Sequence, residues 1–154
     1  MKLITLTQSL FAQVDDEDYE YLNQWKWSAA KGRSTYYAVR VENKTYIPMH
    51  RVLLKLTDPK ILGDHIDGNG LNNQKHNIRP CTPVQNKYNS IKKNSGSTYK
   101  GVTWNKQHKK WRARIMYNKK EIFIGHYTSE IEAAKAYDNE AKKYFGEFAY
   151  LNFK

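Results

Sequence analysis

The sequence predicts an α+β protein in which small antiparallel sheets and single helices follow one another along the chain. Short stretches rich in aromatic and β-branched residues alternate with turn signals, which is typical of antiparallel strands. The helix-capping pattern Ser/Thr-x-x-Glu/Gln occurs at Thr82 and at Ser129. Gly and Ser at residues 94–98 indicate a flexible linker. Together these observations predict a β-rich N-terminal scaffold (1–47), a hairpin-and-helix unit (48–93) and a sheet-and-helix module (97–154).

The first segment begins with an acidic run at residues 15–18 that suits the first turn of a helix, because the free N–H groups there carry partial positive charge. The later stretches WKWSAA (25–30) and STYYAVRVENKTYIPMHRVLL (34–54) are rich in aromatic and β-branched residues, which predicts strands with a hairpin turn at residues 42–44. Trp25 and Trp27 are expected to pack in a core or an interface rather than to stack on bases.

The second segment contains a strong turn signal, Asp67-Gly68-Asn69-Gly70, because Gly and Asn tolerate the positive φ of tight turns. A short extended stretch at residues 78–81 follows it. A helix then begins at Thr82-Pro83, since proline suits the first helical position. The predicted order is hairpin, then helix, with Asn86 on the first turn of that helix.

The third segment contains three strand candidates: TYKGVTW, KWRARIMY and EIFIGHY. In the second of them, alternation places two sets of side chains on opposite faces: Trp111, Ala113, Ile115 and Tyr117 on one, and Arg112, Arg114 and Met116 on the other. An alanine-rich helix follows and ends at Gly146. We therefore expect a three-stranded antiparallel sheet with one face packed on a helix and one face suited to an anion.

Composition favours a polyanionic partner, because 26 Lys and Arg against 15 Asp and Glu give a net charge of +11. Eleven basic residues and no acidic one lie between Asn86 and Glu121, interleaved with aromatic residues. The single cysteine, Cys81, excludes a disulfide within the chain. No long apolar run or signal-peptide pattern is present, so the expectation is a soluble protein of a reducing cytoplasm that does not bind a membrane.

The residues with the clearest chemistry are Asp64, His65 and Asn86. A hard cation such as Mg²⁺ prefers oxygen ligands, and Asp64 and Asn86 supply a carboxylate and a carboxamide oxygen. The neutral imidazole of His65 is able to take a proton from an attacking water, since its unperturbed pKa is about 6.5. Amide ligands also add no negative charge that would repel a phosphodiester.

Five short motifs resemble the HNH endonucleases with a ββα-metal fold, and in particular the phage and intron homing type: MHR (49–51), DHIDGN (64–69), LNN (71–73), NIR (77–79) and TPVQN (82–86). The resemblance implies that Asp64 and Asn86 hold Mg²⁺ or Mn²⁺, that His65 is the general base and that Asn77 braces the loop between the two strands. It also implies hydrolysis of double-stranded DNA to a 3′-hydroxyl and a 5′-phosphate, in a bacterial host cell or by a phage-encoded protein.

The neighbouring polar residues have less specific expectations. His50 is expected to be a structural hydrogen-bonding residue, because it lies outside the hairpin. His76, Asn72 and Asn73 are expected to be loop residues, with the two asparagines satisfying loop backbone groups. Arg79 is a candidate contact to a DNA phosphate.

Residues 97–153 resemble the Apetala-two or ethylene-response-factor DNA-binding domain of plants, through YKGVTW, KWRARI, IGHYTSEIEAAKAYD and FGEFAYLNF. In that family the sheet enters the major groove. Several family contact positions hold different residues here, so groove binding is implied but the plant target sequence is not. The candidate DNA contacts in this segment are Lys100, Thr103, Trp104, Asn105, Arg112, Arg114, Met116, Glu121 and Phe123. Tyr137, Asp138 and Asn152 are expected to brace the helix and the C-terminal tail.

The sequence thus predicts a metal-dependent HNH endonuclease of homing type that is positioned on DNA by its C-terminal module. One site per chain cuts one strand, so a monomer would nick DNA and a homodimer would break both strands. The main alternative is a DNA-binding transcriptional regulator with a vestigial HNH unit. A nucleic-acid-packaging protein and an enzyme acting on RNA are further alternatives.

Overall fold

The computed structural model describes residues 1–90 and 96–153, and it confirms the α+β class. The chain forms two compact units, Met1–Asn86 and Lys87–Lys154. Of the predicted linker at 94–98, residues 94 and 95 lie outside the described residues, as do Lys92 and Lys93 of the basic run. Within the described ranges, no helix has both the length and the apolar character needed to span a membrane.

The N-terminal part of the first unit contains two small antiparallel sheets and one helix. The pair of strands β1 and β2 precedes helix α1, and a three-stranded sheet in the order β3-β4-β5 follows it. The predicted turn between β4 and β5 is confirmed, with positive φ at Asn43 (47°) and Lys44 (61°). The bounds are β1 Lys2–Thr5, β2 Phe11–Val14, α1 Asp16–Asn23, β3 Ser28–Lys31, β4 Tyr36–Glu42 and β5 Thr45–Pro48.

The core of this unit lies between these elements. Ala12, Val14 and Leu22 have no exposed surface, and Met49 of the next helix joins them. Trp27 is 4% exposed and donates its indole N–H to the Leu22 carbonyl at 2.8 Å. The expected packing role of the tryptophans is confirmed, because a buried indole N–H that finds an acceptor is a stable part of a core.

The remainder of the first unit is the predicted hairpin and helix. Helix α2 (Met49–Leu53) occupies the end of the stretch 34–54, so the expectation of extended structure is wrong there. It leads to the antiparallel strands β6 (Leu62–His65) and β7 (Ile78–Cys81), and helix α3 (Pro83–Asn89) begins in this unit and ends in the second. The predicted capping box is confirmed, because the Gln85 amide donates to Thr82 Oγ1 at 3.3 Å and the Thr82 amide donates to Gln85 Oε1 at 2.8 Å.

Strand β2 also contacts the loop between β6 and β7. The Gln13 amide donates to the Leu71 carbonyl, and the Asn73 amide donates to the Gln13 carbonyl, both at 2.8 Å. Asp15, just after β2, accepts a hydrogen bond from the Lys75 amide at 2.8 Å. The N-terminal strands therefore hold the loop that follows the Asp64-His65 pair.

The second unit is a three-stranded antiparallel sheet, in the order β10-β9-β8, packed on helix α4. Ala113 and Ile115 of β9 are 0% and 1% exposed, whereas Met116 is 53% exposed. The predicted division of β9 into two faces is confirmed. Ser129 Oγ accepts from the Glu132 amide at the start of α4, and Gly146 ends the helix with a φ of 55°. The bounds are β8 Val102–Asn105, β9 Lys110–Tyr117, β10 Lys120–Tyr127 and α4 Glu130–Phe145.

Candidate functional site

Asp64 and His65 end strand β6, and each is only 5% exposed. Asp64 lies opposite Arg79 in the β6–β7 register. Its Oδ2 accepts hydrogen bonds from Arg79 Nε at 3.0 Å and Nη2 at 2.8 Å. A buried carboxylate needs such a charged donor, because desolvation without a partner is costly. The structure thus places Arg79 at the carboxylate; the expectation that it contacts a phosphate stays a prediction.

His65 contacts a residue of the following loop. Its Nε2 lies 3.2 Å from Oδ1 of Asn73, which is 1% exposed. Burial lowers the pKa of His65, although the Asn73 hydrogen bond and the charges of Asp67 and Asp64 act in the opposite direction. The ring is therefore neutral near pH 7, which is the form that a general base requires.

Asn77 is 4% exposed and makes hydrogen bonds across the loop between β6 and β7. Its Oδ1 accepts from the Asp67 amide at 3.1 Å, and its Nδ2 donates to the Asn72 carbonyl at 2.8 Å. The same Nδ2 also donates to Asp67 Oδ1 at 3.0 Å. These contacts close the loop on itself, and the role that the resemblance implies for Asn77 stays a prediction.

Asn86 lies on helix α3, beside strand β6. It lines a cavity of about 470 Å³ together with Gly63, His50 and Tyr37. Gly63 directly precedes Asp64, so the helix brings Asn86 to the strand that carries the carboxylate. The candidate ligands Asp64 and Asn86 offer oxygen donors alone, which fits a hard divalent cation. Among residues 1–90 and 96–153, no group of three or more His, Cys, Asp and Glu side chains has metal-binding spacing.

His50 was not among the candidate site residues, yet it lies against His65. Their ring centroids are 4.9 Å apart at an interplanar angle of 80°. His50 is 8% exposed, and its Nδ1 is buried without a hydrogen-bond partner in the described part of the chain. The expectation of a structural hydrogen bond is therefore wrong for this nitrogen. The His50 ring instead packs closely against Gly63. A Cβ at position 63 would lie 2.2 Å from His50 Cδ2, so a side chain there would collide with the ring.

The buried His50 predicts a loss of stability in acid. Burial, and then the nearby His65 and Arg51, lower the pKa of His50 to about 3 from 6.5. The unfolded chain therefore binds this proton below pH 6.5 while the folded chain does not until about pH 3. At pH 5 we expect the free energy of unfolding to be lower by about 2 kcal/mol through this residue alone.

Urea denaturation at pH 7 and pH 5 measures this loss. In His50→Gln the drop in unfolding free energy between the two pH values should be smaller than in the wild type by that amount. His76→Gln is the matched control, because His76 is exposed in the loop and should leave the drop unchanged. An equal drop in His50→Gln and in the wild type would contradict the assignment.

The open face of the C-terminal sheet carries most of the candidate DNA contacts. Arg112 and Arg114 both donate to the Glu121 carboxylate. The hydrogen bond from Arg114 is the largest cause that lowers the pKa of Glu121, and the charge and hydrogen bond of Arg112 lower it further. Met116 and Phe123, each 53% exposed, lie on this face, where Phe123 is opposite Arg114 in the β9–β10 register. Trp104 is 44% exposed but is opposite Trp111 in the β8–β9 register, so it lies on the other side of the sheet, and its contact with DNA stays a prediction. The face thus combines guanidinium groups with uncovered aromatic and apolar side chains, a combination suited to phosphates and bases.

Other candidate contacts are engaged within the second unit. Lys100 donates its ammonium to the Tyr88 carbonyl and lies 5.4 Å from the Tyr150 ring centroid, and burial lowers its pKa to about 8. Asn105 Oδ1 accepts from the His108 amide at 3.1 Å. Thr103 is half-buried on β8. A DNA-contacting role for these three residues stays a prediction.

The expected brace of helix and tail is confirmed for Asp138 and Asn152. The Asp138 carboxylate accepts from the Asn152 amide at 2.9 Å and from the Phe153 amide at 2.9 Å. Asn152 Oδ1 in turn accepts from the Lys100 amide at 2.7 Å. Tyr137 is 3% exposed and packs in the same unit. Position 101 is a glycine with a φ of +79°, and a Cβ there would lie 2.0 Å from the Tyr137 ring.

Comparison with known proteins gives relatives of two kinds: one covers most of this chain, and the others cover about a third of it. An uncharacterized HNH endonuclease of Acanthamoeba polyphaga mimivirus is 32% identical over 147 residues, which cover 92% of this chain and 74% of that protein. An AP2-like ethylene-responsive transcription factor of Arabidopsis thaliana is 43% identical over 60 residues, which cover 38% of this chain and 11% of that protein. Protein 3.8 of Escherichia phage T7 is 40% identical over 53 residues, 34% of this chain and 44% of that protein. No family model matches the chain, and no solved structure does.

Proposed function

The chain belongs to the HNH endonuclease family, and on that premise we propose that it is a metal-dependent endonuclease that hydrolyses phosphodiester bonds in double-stranded DNA. The observation that carries the proposal is the placement of Asp64 and His65 at the buried end of strand β6, with Asn86 on a helix that lines the same cavity as that strand. The coarser part of the proposal, a nuclease that binds DNA, is supported by the relatives of both kinds. The finer part of the proposal is that the endonuclease is of the homing type.

In the proposed reaction each candidate site residue has a separate role. His65 accepts a proton from a water molecule, whose oxygen attacks the phosphorus. The bond between phosphorus and the 3′ oxygen breaks, and that oxygen takes a proton from solvent, which leaves a 3′-hydroxyl and a 5′-phosphate. Asp64 and Asn86 would hold Mg²⁺ or Mn²⁺, which when bound offsets the charge that develops at the phosphate. Asn77 is a positioning residue, because its hydrogen bonds all go to the loop.

The division into a scaffold (1–47), an HNH unit (48–93) and an Apetala-two-like module (97–154) is part of the proposal. The C-terminal module fixes the enzyme on duplex DNA through the open face of its sheet, and the HNH unit cuts. A monomer makes a nick, whereas a homodimer or two successive events break both strands. The protein acts on DNA inside a bacterial host cell or is encoded by a phage.

Incubation of supercoiled plasmid with the protein and Mg²⁺, Mn²⁺ or EDTA tests the proposal. DNA from the native host should be included, since a specific recognition site is part of the homing type. Conversion to nicked or linear DNA with either metal but not with EDTA is expected. Salt-sensitive duplex binding without cleavage of any of these DNAs would favour the alternative, a DNA-binding regulator with a vestigial HNH unit.

The open face of the sheet predicts how binding depends on salt. Replacing Arg112 and Arg114 together with alanine should reduce the slope of log affinity against log salt by about two, because two phosphate contacts no longer release counterions. Fluorescence anisotropy with a labelled duplex at several NaCl concentrations measures the slope.

The matched control is the double variant Lys142→Ala and Lys143→Ala, which removes the same charge from helix α4. That helix covers the other face of the sheet, so the slope of log affinity against log salt should change less in this variant than in the arginine variant. Equal slopes for the two double variants would show that net charge, and not the open face, governs binding.

A further inference from the structure

His65 contacts Asn73, an asparagine that the sequence predicts to be a loop residue. The contact is short and buried: Asn73 Oδ1 lies 3.2 Å from His65 Nε2, and the two residues are 1% and 5% exposed. Water does not compete for a contact at this depth, so the two atoms need complementary hydrogen-bonding roles.

The orientation of the Asn73 carboxamide follows from its other partner. Its Nδ2 lies 3.3 Å from the Leu71 carbonyl, to which it donates a hydrogen bond. The reverse orientation would place Oδ1 against that carbonyl, which is an acceptor and has no proton to give. Oδ1 therefore points at His65, and it is able only to accept.

Because Oδ1 accepts, His65 Nε2 must carry the proton. The neutral ring then has its lone pair on Nδ1, which becomes the nitrogen that takes a proton from water. When the ring is protonated, Nε2 still carries a proton and the hydrogen bond to Asn73 persists. The contact thus serves both states of a general base without any rearrangement.

The Asn73 backbone is held by the N-terminal scaffold. Its amide donates to the Gln13 carbonyl at 2.8 Å, and the Gln13 amide donates to the Leu71 carbonyl at 2.8 Å. The next residue along, Gln74, donates through Nε2 to Asp15 at 3.1 Å. Strand β2 therefore fixes the backbone of Asn73. It also fixes the Leu71 carbonyl, to which the Asn73 side chain donates.

We propose that Asn73, held by strand β2, is a positioning residue that keeps the His65 ring in the Nε2–H tautomer and presents Nδ1 as the base. This inference rests on the proposed function for its catalytic consequence. The hydrogen bond and the tautomer do not depend on cleavage, and they are measured separately.

Ring nitrogen NMR of the full chain, labelled with ¹⁵N-histidine and without metal or DNA, is the decisive measurement. The His65 signals are identified by their absence from the spectrum of His65→Gln. In the wild type Nε2 should be the protonated nitrogen, with a slowly exchanging proton, and Nδ1 should have the shift of an unprotonated nitrogen. A proton on Nδ1 in the neutral wild-type ring would overturn the proposal, and this result needs no variant.

Variants at position 73 test the cause. Asn73→Leu is similar in size but lacks an acceptor, and it should lose the slowly exchanging Nε2 proton; Asn73→Asp keeps an acceptor and should retain it. Asn72→Leu is the matched control, because Asn72 is in the same loop and bonds Asp67 rather than His65. Unchanged ring signals in a folded Asn73→Leu would overturn the assignment of Asn73.

Cleavage gives the catalytic consequence. Asn73→Leu should lower kcat by about 10- to 100-fold with little change in KM, because a misoriented base costs rate rather than binding. Asn73→Asp should have a kcat between those of Asn73→Leu and the wild type. A kcat in Asn73→Leu equal to that of the wild type would overturn the positioning role. A wild type that shows the expected ring signals but cuts no DNA would refute the proposed function and leave the tautomer assignment standing.

Discussion

Replacing His65 with alanine should lower the rate of plasmid cleavage by about 10²- to 10⁴-fold, which is the usual contribution of a positioned general base. The ring is buried and neutral, so the wild type holds the base in its active form near pH 7. Duplex affinity should not change, because the side chain is 5% exposed and bonded to Asn73 rather than directed at the surface. Single-turnover cleavage and anisotropy measured on the same preparation separate the two effects.

The matched control for this experiment is His76→Ala. His76 lies exposed in the loop that leads to Asn77, and its loss should leave the cleavage rate within about twofold of the wild type, as for most surface substitutions. Wild-type rates in His65→Ala would remove His65 from the mechanism. His50, whose ring is 4.9 Å away, would then be the first residue to test as the base.

Asn86→Ala and Asp64→Ala should each reduce metal-dependent cleavage by about 10³-fold, because several kcal/mol of charge stabilisation at the phosphate are lost with the ion. The two variants should differ in stability. Asn86 is half-buried on a helix, and its loss should cost little. Asp64→Ala removes a partner of Arg79, whose side chain is 11% exposed, and should lower the free energy of unfolding by about 3 kcal/mol.

Cleavage over a range of Mn²⁺ concentrations, together with urea denaturation, distinguishes these outcomes. Asp64→Asn is the control for the charge, because it keeps the size of the side chain and one oxygen near Arg79. Metal dependence in Asn86→Ala identical to that of the wild type would exclude Asn86 as a ligand. An Asp64→Ala variant as stable as the wild type would show that Arg79 finds another partner.

Local signals in the sequence were sufficient to predict much of the fold. The turn at residues 42–44, the capping boxes at Thr82 and Ser129, and the two faces of β9 each depend on residues close together in the chain. Such features follow from backbone sterics, from unpaired helix N–H groups and from the twofold repeat of a strand. They need no knowledge of how distant segments pack.

The contacts that shape the candidate site could not be predicted in the same way. His50 precedes His65 by fifteen positions, and only the packing of α2 on β6 brings their rings together. The pairing of Arg79 with Asp64 follows from the strand register, which the sequence does not state. Lys100 was predicted to contact DNA from its place in a motif, and the direction of its side chain depends on the distant Tyr88 carbonyl.

The contact between strand β2 and the loop at Leu71 and Asn73 also constrains how the protein is made. Asp15 and Lys75 are 60 positions apart, so the N-terminal strands emerge from the ribosome well before the loop that they hold. Domains generally begin to fold from the N-terminal side during synthesis, at roughly 5 to 20 residues per second. The hydrogen bonds that join strand β2 to Leu71 and Asn73 therefore form only after those residues have been translated, and the candidate ligand Asn86 follows them in the chain.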